Sequence, residues 1–234
     1  MDINFKSIVG GYAFTAADFQ ADYKTGAGTI GVTTADVPFP INIGFGELAF
    51  DLKFPMTKSD APVPYTFLMK MVDFTMPDEV WGMADPTGQL PRDPATLVVD
   101  TKGTMRLLAD FDASPAAGEI PPPPEVSSVT INELRLDMVG AELKGNGDLT
   151  LDNTDLVTFG GMPAPTGILN FTLTGGNGLL DKLAAAGLVP EEQLMSVRMM
   201  MGMFATAATD GTDSMTSTIE FKDKGLFVNG QQLQ

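Results

Sequence analysis

Two glycine-rich stretches, two acidic clusters and one run of methionines are the places where this chain carries residue types that could do chemistry. Gly26-Ala27-Gly28-Thr29-Ile30-Gly31 has the spacing of a dinucleotide loop, which needs a helix behind it so that backbone N–H groups point at a pyrophosphate. The next residues, Val32 to Pro38, are strand-like and end in proline, so the stretch reads as a turn. Gly175-Gly176-Asn177-Gly178 comes after a strand and opens a helix, the position where an anion could sit. It lacks the Lys and Ser/Thr of a phosphate-binding loop and reads as a strand-to-helix turn. Asp152-Asn153-Thr154-Asp155 and Asp210-Gly211-Thr212-Asp213 offer oxygen ligands for calcium. Neither has the twelve-residue ligand spacing and closing Glu of an EF-hand, and Asp and Asn are also ordinary turn residues. Met195, Met199, Met200, Met201 and Met203 could present thioethers to copper(I). On one helix they spread around the axis, and adaptable core filling is the better account.

For catalysis the chain is poorly equipped. It has no His and no Cys, which removes the commonest general base, the commonest metal ligand, thiolate chemistry and disulfides. There is no nucleophile elbow and no Ser-x-x-Lys. A carboxylate pair for glycoside hydrolysis would exist only in three dimensions, and no Asp or Glu stands out. The reading is not an enzyme, with no cofactor and no metal.

The elements that would position any site are strands. Hydrophobic residues make up 44% of the 234 residues and charged ones 19%, with 25 Gly and 17 Pro, the composition of an ordered, turn-rich protein. A net charge of −16 argues against nucleic acid, whose phosphates need Lys and Arg, and against anionic lipid headgroups. No run approaches the roughly 18 apolar residues of a membrane span, so no transmembrane segment is expected.

Apolar residues alternate from Asn4 to Phe54, and the parity flips at Gly46, which predicts a β-bulge. Lys24 to Gly28 reads as a turn, Tyr65 to Met76 as a strand, Pro77 to Met83 as one helical turn, and Thr96 to Phe111 as a strand or a hairpin turning near Lys102-Gly103. The run Ala113 to Glu125, with four consecutive prolines, is the one clear linker. The chain is expected to form one β-rich domain over 1–234, with a possible division into 1–112 and 126–234 at linker 113–125. Val129 to Val139 and Ala141 to Leu151 form a hairpin whose first strand flips parity near Asn132-Glu133. The last third reads strand, helix (Asn177 to Gly187), helix (Pro190 to Thr206), strand (Met215 to Lys222) and strand (Gly225 to Leu233). The second helix is apolar almost all round, and such a helix is buried on several sides or faces something greasy.

The loop Asp85-Pro86-Thr87-Gly88-Gln89-Leu90-Pro91-Arg92-Asp93-Pro94-Ala95-Thr96 resembles a segment of uncharacterised alphaproteobacterial envelope proteins, as do Gly178 to Leu183, Gly187 to Glu192 and Glu220 to Gln231. The ending, with its Val228-Asn229-Gly230, is also similar to YdgA-like proteins, and the strands Leu134 to Leu151 resemble those of AsmA-like proteins. The resemblance implies an exported, periplasmic β protein, and for the AsmA-like group a groove that handles lipids. The sequence opens almost directly in strand, without the charged-then-apolar order of a signal peptide, so a signal or anchor is expected upstream in a longer protein.

The expected fold is mainly β (α+β): a large curved antiparallel sheet, an open groove or a barrel of long bulged strands, with two C-terminal helices inserted before the last two strands. The expected function is a non-enzymatic periplasmic envelope protein that binds a lipid or other apolar small molecule in a β-lined groove. Met195, Met199, Met203 and Phe204 are the candidate apolar-ligand surface. The alternative is a structural or interaction module whose sheet edges pair with an envelope protein partner.

Overall fold

The structure, a computed structural model, describes residues 2–5, 7–15, 17–33, 39–111 and 122–234. Its strands are β1 (Asp2–Phe5), β2 (Ile8–Phe14), β3 (Asp18–Thr25), β4 (Gly28–Val32), β5 (Ile41–Phe45), β6 (Glu47–Pro55), β7 (Val63–Phe74), β8 (Ala95–Arg106), β9 (Glu125–Met138), β10 (Ala141–Asp152), β11 (Ala164–Thr174), β12 (Thr206–Ala207), β13 (Ser214–Lys222), β14 (Gly225–Val228) and β15 (Gln231–Gln232). Helix α1 (Asp78–Ala84) comes after β7, and α2 (Gly176–Ala185) and α3 (Glu191–Phe204) lie between β11 and β12. The fold is mainly β, as the alternating pattern predicts.

Twelve strands form one antiparallel sheet in the order β15-β14-β13-β11-β10-β9-β8-β7-β6-β3-β2, with β12 beside β13. The sheet does not close into a barrel. The five central strands, β7 to β11, run 11 to 14 residues, about twice the usual length. The expected linker falls largely on 112–121, outside the described residues. The strands on either side of it are neighbours, with Arg106 opposite Glu125.

Hairpin turns are set by local chemistry. Val139-Gly140, Asp223-Lys224 and Asn229-Gly230 each place two consecutive residues at positive φ, the backbone a two-residue type I′ turn demands. The Asn229-Gly230 turn splits the expected closing strand Gly225 to Leu233 into β14 and the two-residue β15, so four strands, not two, come after α3. Thr96 to Phe111 makes no hairpin. Lys102 and Gly103 pair on both sides, with Thr66 and Tyr65 in β7 and with Thr130 and Val129 in β9.

The parity flip near Asn132-Glu133 is a bulge. Between Gly145 and Gly147 the pairing to β9 passes from Leu134 to Ile131, so one extra residue of β9 sits there. The flip at Gly46 has a different origin. Register is unchanged across it: Leu48 pairs Thr25 in the large sheet, and Phe45 pairs Gly28 in a three-stranded sheet β1-β4-β5. Ile8 likewise pairs Thr25, and Phe5 pairs Gly28. The small sheet is therefore the far end of the same three strands, bent along a crease through Ser7, Gly26 and Gly46. Beyond the crease the apolar residues change faces with no residue inserted. Gly46 leaves room there for the Asp73 side chain, whose carboxylate would lie 2.8 Å from a Cβ.

Helix α3 is held to the sheet by its end. The Ser217 hydroxyl donates to the Phe204 carbonyl at 2.5 Å, and Asn229 Nδ2 donates to the same oxygen at 3.1 Å. Gly176 lets α2 lie against Leu173, where a Cβ would stand 2.7 Å from Leu173 Cδ2.

Candidate functional site

Directly opposed residues of an antiparallel pair project to the same face, so register alone sorts the large sheet into two faces. One face carries Tyr12 and Phe14 of β2, Phe19 and Tyr23 of β3, and Leu48, Phe50, Leu52 and Phe54 of β6. It continues through Tyr65, Phe67, Met69 and Met71 of β7, Leu97 and Val99 of β8, and Ile131, Leu134 and Leu136 of β9. Leu143 and Leu149, Leu169, Phe171 and Leu173, Ile219 and Phe221, and Leu226 and Val228 complete it. Aromatic rings touch along it, Phe14 to Phe19 at 4.6 Å, Phe19 to Phe54 at 5.5 Å and Phe50 to Phe67 at 6.0 Å between centroids.

The other face is a lattice of polar pairs. Lys24 meets Glu47 at 3.5 Å, Arg106 pairs with Glu125, Arg135 meets Glu142 at 2.9 Å and Lys222 meets Glu220 at 2.6 Å. Thr130 donates to Asp148 at 2.7 Å, and the Thr104 and Ser128 hydroxyls lie 2.8 Å apart. Individually such exposed pairs add little stability. Together they mark the face that is built for water.

Among the described residues no second layer covers the apolar face. Of the large apolar side chains just named, only Val228 is buried. Met69, Leu136 and Met138 are 36%, 37% and 42% exposed in mid-sheet. A folded monomer of this mass exposes roughly 10,000 Å², whereas this chain exposes 14060 Å². An ordinary β protein would pack such a face on another sheet or on helices.

The methionine helix is not core. Leu194 is its one buried side chain, while Met195, Met199 and Met203 are 68%, 67% and 65% exposed. Met200, Phe204 and Val197 are exposed as well. The reading of these residues as adaptable core filling is therefore corrected: α3 is fixed by a narrow seam of Leu194 and Met201, seven residues apart, and the rest faces out. Met195, Met199 and Met203 recur every four residues and form a row on one flank. Met195 also borders a cleft of about 240 Å³ between α2 and α3, with Asp181 and Arg198 at its wall. Periodicity could not reveal this, because a helix apolar on every side has no direction written into it.

The acidic clusters are occupied from within the chain. Asp213 is the anion that sits at the Gly175–Gly178 turn: its carboxylate accepts from Asn177 N at 3.2 Å, Asn177 Nδ2 at 3.0 Å and Gly178 N at 2.8 Å. Burial pushes its pKa up, but these donors outweigh burial and hold it below the usual carboxylate value. Asp155 accepts from Lys224 Nζ at 2.8 Å and from Thr158; the lysine first, then Thr158, lowers its pKa strongly. Asp152 and Asp210 each accept from the hydroxyl and N–H of the residue two ahead, Thr154 and Thr212, and are lowered in turn. Among the described residues no group of three acidic side chains converges in a way that could hold a metal ion. Gly26 to Gly31 runs into β4 without a helix.

Asp85, 1% exposed, organises the loop that the sequence left irregular. It accepts from Leu90 N at 2.7 Å and Thr87 Oγ1 at 2.9 Å, and the Leu90 N–H chiefly depresses its pKa. The sign is the same for all five aspartates. A carboxyl whose folded pKa lies below its unfolded value of about 3.9 stabilises above that value and ceases to as pH falls through the folded pKa. The thermal midpoint is therefore expected to hold near neutrality and drop below about pH 4. Circular dichroism melts from pH 7 downward check this, and Asp85→Asn should lower the midpoint at pH 7 and flatten the acid limb.

An open cleft of about 720 Å³ lies at the crease, lined by Thr29, Gly44, Gly46, Asp73 and Thr75 among others. Asp73 sits there at positive φ (53°), on a bulge of β7 between Met71 and Phe74. One carboxylate beside two hydroxyls is not an acid–base pair. Among the described residues no helix is long and apolar enough to cross a membrane.

No curated protein and no solved structure matches the chain. A family model does, over residues 54–233, from the end of β6 to the last residues of the chain, so the match takes in the central strands and both C-terminal helices. The chain thus belongs to the family described as uncharacterized protein conserved in bacteria, DUF2125.

Proposed function

We propose that this protein is a non-enzymatic binder of lipid acyl chains or similar apolar molecules, which lie across the uncovered face of the large sheet. One observation carries the reading: a face that is apolar from β2 to β14 and has no second layer among the described residues. Apolar surface left in water is unfavourable by roughly 25 cal/mol per Å², and a fold keeps a large patch of it when a ligand or partner covers it. Methionines suit a surface that meets ligands of variable shape, and the Met195, Met199, Met203 and Phe204 surface is proposed as an accessory contact. The engaged state of Asp85, Asp152, Asp155, Asp210 and Asp213 supports a role without catalysis. The resemblance to envelope proteins supports a periplasmic setting, which fractionation of cells would test.

The decisive experiment is native mass spectrometry of the protein from cell extract, with organic extraction of what it releases. A stoichiometric lipid or other apolar species is expected. Leu136→Glu, at an exposed mid-face position, should weaken uptake of a fluorescent fatty acid at least about tenfold. Thr150→Glu on the polar face should leave uptake unchanged. An apo mass that stays clean after incubation with phospholipid would sink the reading.

A further inference from the structure

We infer that the β2 edge of the large sheet is a dimerisation surface, on which a second copy of this chain pairs antiparallel through its own β2. This goes beyond ligand binding and stands on different observations. All seven residues of β2, Ile8 to Phe14, are exposed, and no described strand pairs with its outer side. Natural sheet edges are guarded by charge, proline, bulges or short length. β2 has none of these: it reads Ile-Val-Gly-Gly-Tyr-Ala-Phe and pairs β3 in unbroken register. The opposite edge is guarded by brevity, since β15 is two residues long.

The identity of the occupant rests on self-complementarity. Pleating requires facing residues to share a face, so in a strand paired with its own copy the two facing residue numbers must sum to an even number. Centring the pair on Gly11 is the register that uses all seven residues. Ile8 then faces Phe14, Gly10 faces Tyr12, Val9 faces Ala13, and Gly11 faces its copy. The largest ring lies over a glycine, and no charge enters. The backbones of the charged residues of β3, Asp18, Asp22 and Lys24, stand three strand spacings from those of the copy, about 14 Å. Asp22 alone leans back over Gly11, so in a chain of net charge −16 the pairing should tighten as salt screens that carboxylate from its copy. A two-fold axis through Gly11 lies perpendicular to the sheet, which is isologous pairing that closes at two. Both apolar faces then lie on one side, joined through Ile8, Tyr12 and Phe14.

Sedimentation equilibrium of the full chain should give a dimer in the micromolar range. Tyr12→Lys, at a residue 81% exposed, should weaken association at least about tenfold, with a melting curve that matches wild type once both are dilute enough to be monomeric. Because the chain has no cysteine, single-cysteine variants report the register. A Cβ at Gly11 meets only Asp22 Oδ1 at 3.6 Å, so Gly11→Cys fits, and it should cross-link under mild oxidant where Ser196→Cys does not. A wild-type chain that stays monomeric at about 100 μM overturns the inference, and so does Gly11→Cys cross-linking no faster than Ser196→Cys. Uptake of an unrelated extended peptide at this edge by a monomeric chain assigns the surface to another partner and overturns it as well.

Discussion

Replacing Gly103 with alanine is expected to destabilise the protein by about 3 kcal/mol or more. Gly103 lies in β8, paired to Tyr65 on one side and Val129 on the other. A Cβ there would stand 2.0 Å from the Ser128 carbonyl oxygen and 2.8 Å from Tyr65 Cε1. Real Cβ atoms do not approach backbone so closely, and both neighbours are held by their own ladders. Relief therefore means prising β8 from β9, where the central strands meet. Urea titrations would show a lower midpoint at similar slope if the sheet still unfolds as one unit. An unfolding free energy within about 0.5 kcal/mol of wild type would refute this close approach of β8 and β9.

The second large effect is expected at Asp213. Its carboxylate joins β13 to the first turn of α2 through three donors, and its carbonyl accepts from Gly175 N at 2.7 Å. Asp213→Ala leaves those donors unpaired at a helix N-terminus and removes a negative charge from the positive end of its dipole. The expected cost is about 1–2 kcal/mol, and Asp213→Asn should recover part of it. The loss should be local as well as global. Hydrogen exchange is expected to speed in α2 and α3 and stay slow in β7 to β10, because Asp213, Ser217 and Asn229, with the packing of Gly176 on Leu173, hold the helices chiefly to β11, β13 and the chain's last hairpin rather than to β7 through β10. Uniform acceleration across the sheet would refute this division.

Much of the fold is written locally. The strands follow from period-two alternation and the β9 bulge from a parity flip at Asn132-Glu133, whereas alternation alone runs Gly225 to Leu233 together as one strand through the Asn229-Gly230 turn. The same logic misread Gly46, because a bulge and a crease leave the same mark on the parity, and only pairing partners tell them apart. It left Thr96 to Phe111 open, because a glycine in a strand can be a turn or a point of close approach. Ser128, 25 residues on, decides which. The acidic clusters offered oxygen ligands and turn residues at once, because a carboxylate that caps a helix and one that binds a cation are identical in sequence. Asp213 and Asp155 find their partners 35 and 69 residues away.

The sequence by itself determined the class of protein: antiparallel strands, a pair of helices near the end, and no His or Cys with which to build a familiar catalytic centre. These features come from alternation, turn residues and composition, which act over a few residues. Tertiary structure alone decided which apolar side chains are left uncovered. Alternation says that a strand has an apolar face, not what lies on it, and the strands of a sandwich would read the same as these. Solvent exposure is set by the layer above, and that depends on where distant segments go. Here α2 and α3 are fixed at one end of the sheet, the crease diverts β1, β4 and β5, and no other described residues lay a second layer over the face from β2 to β14.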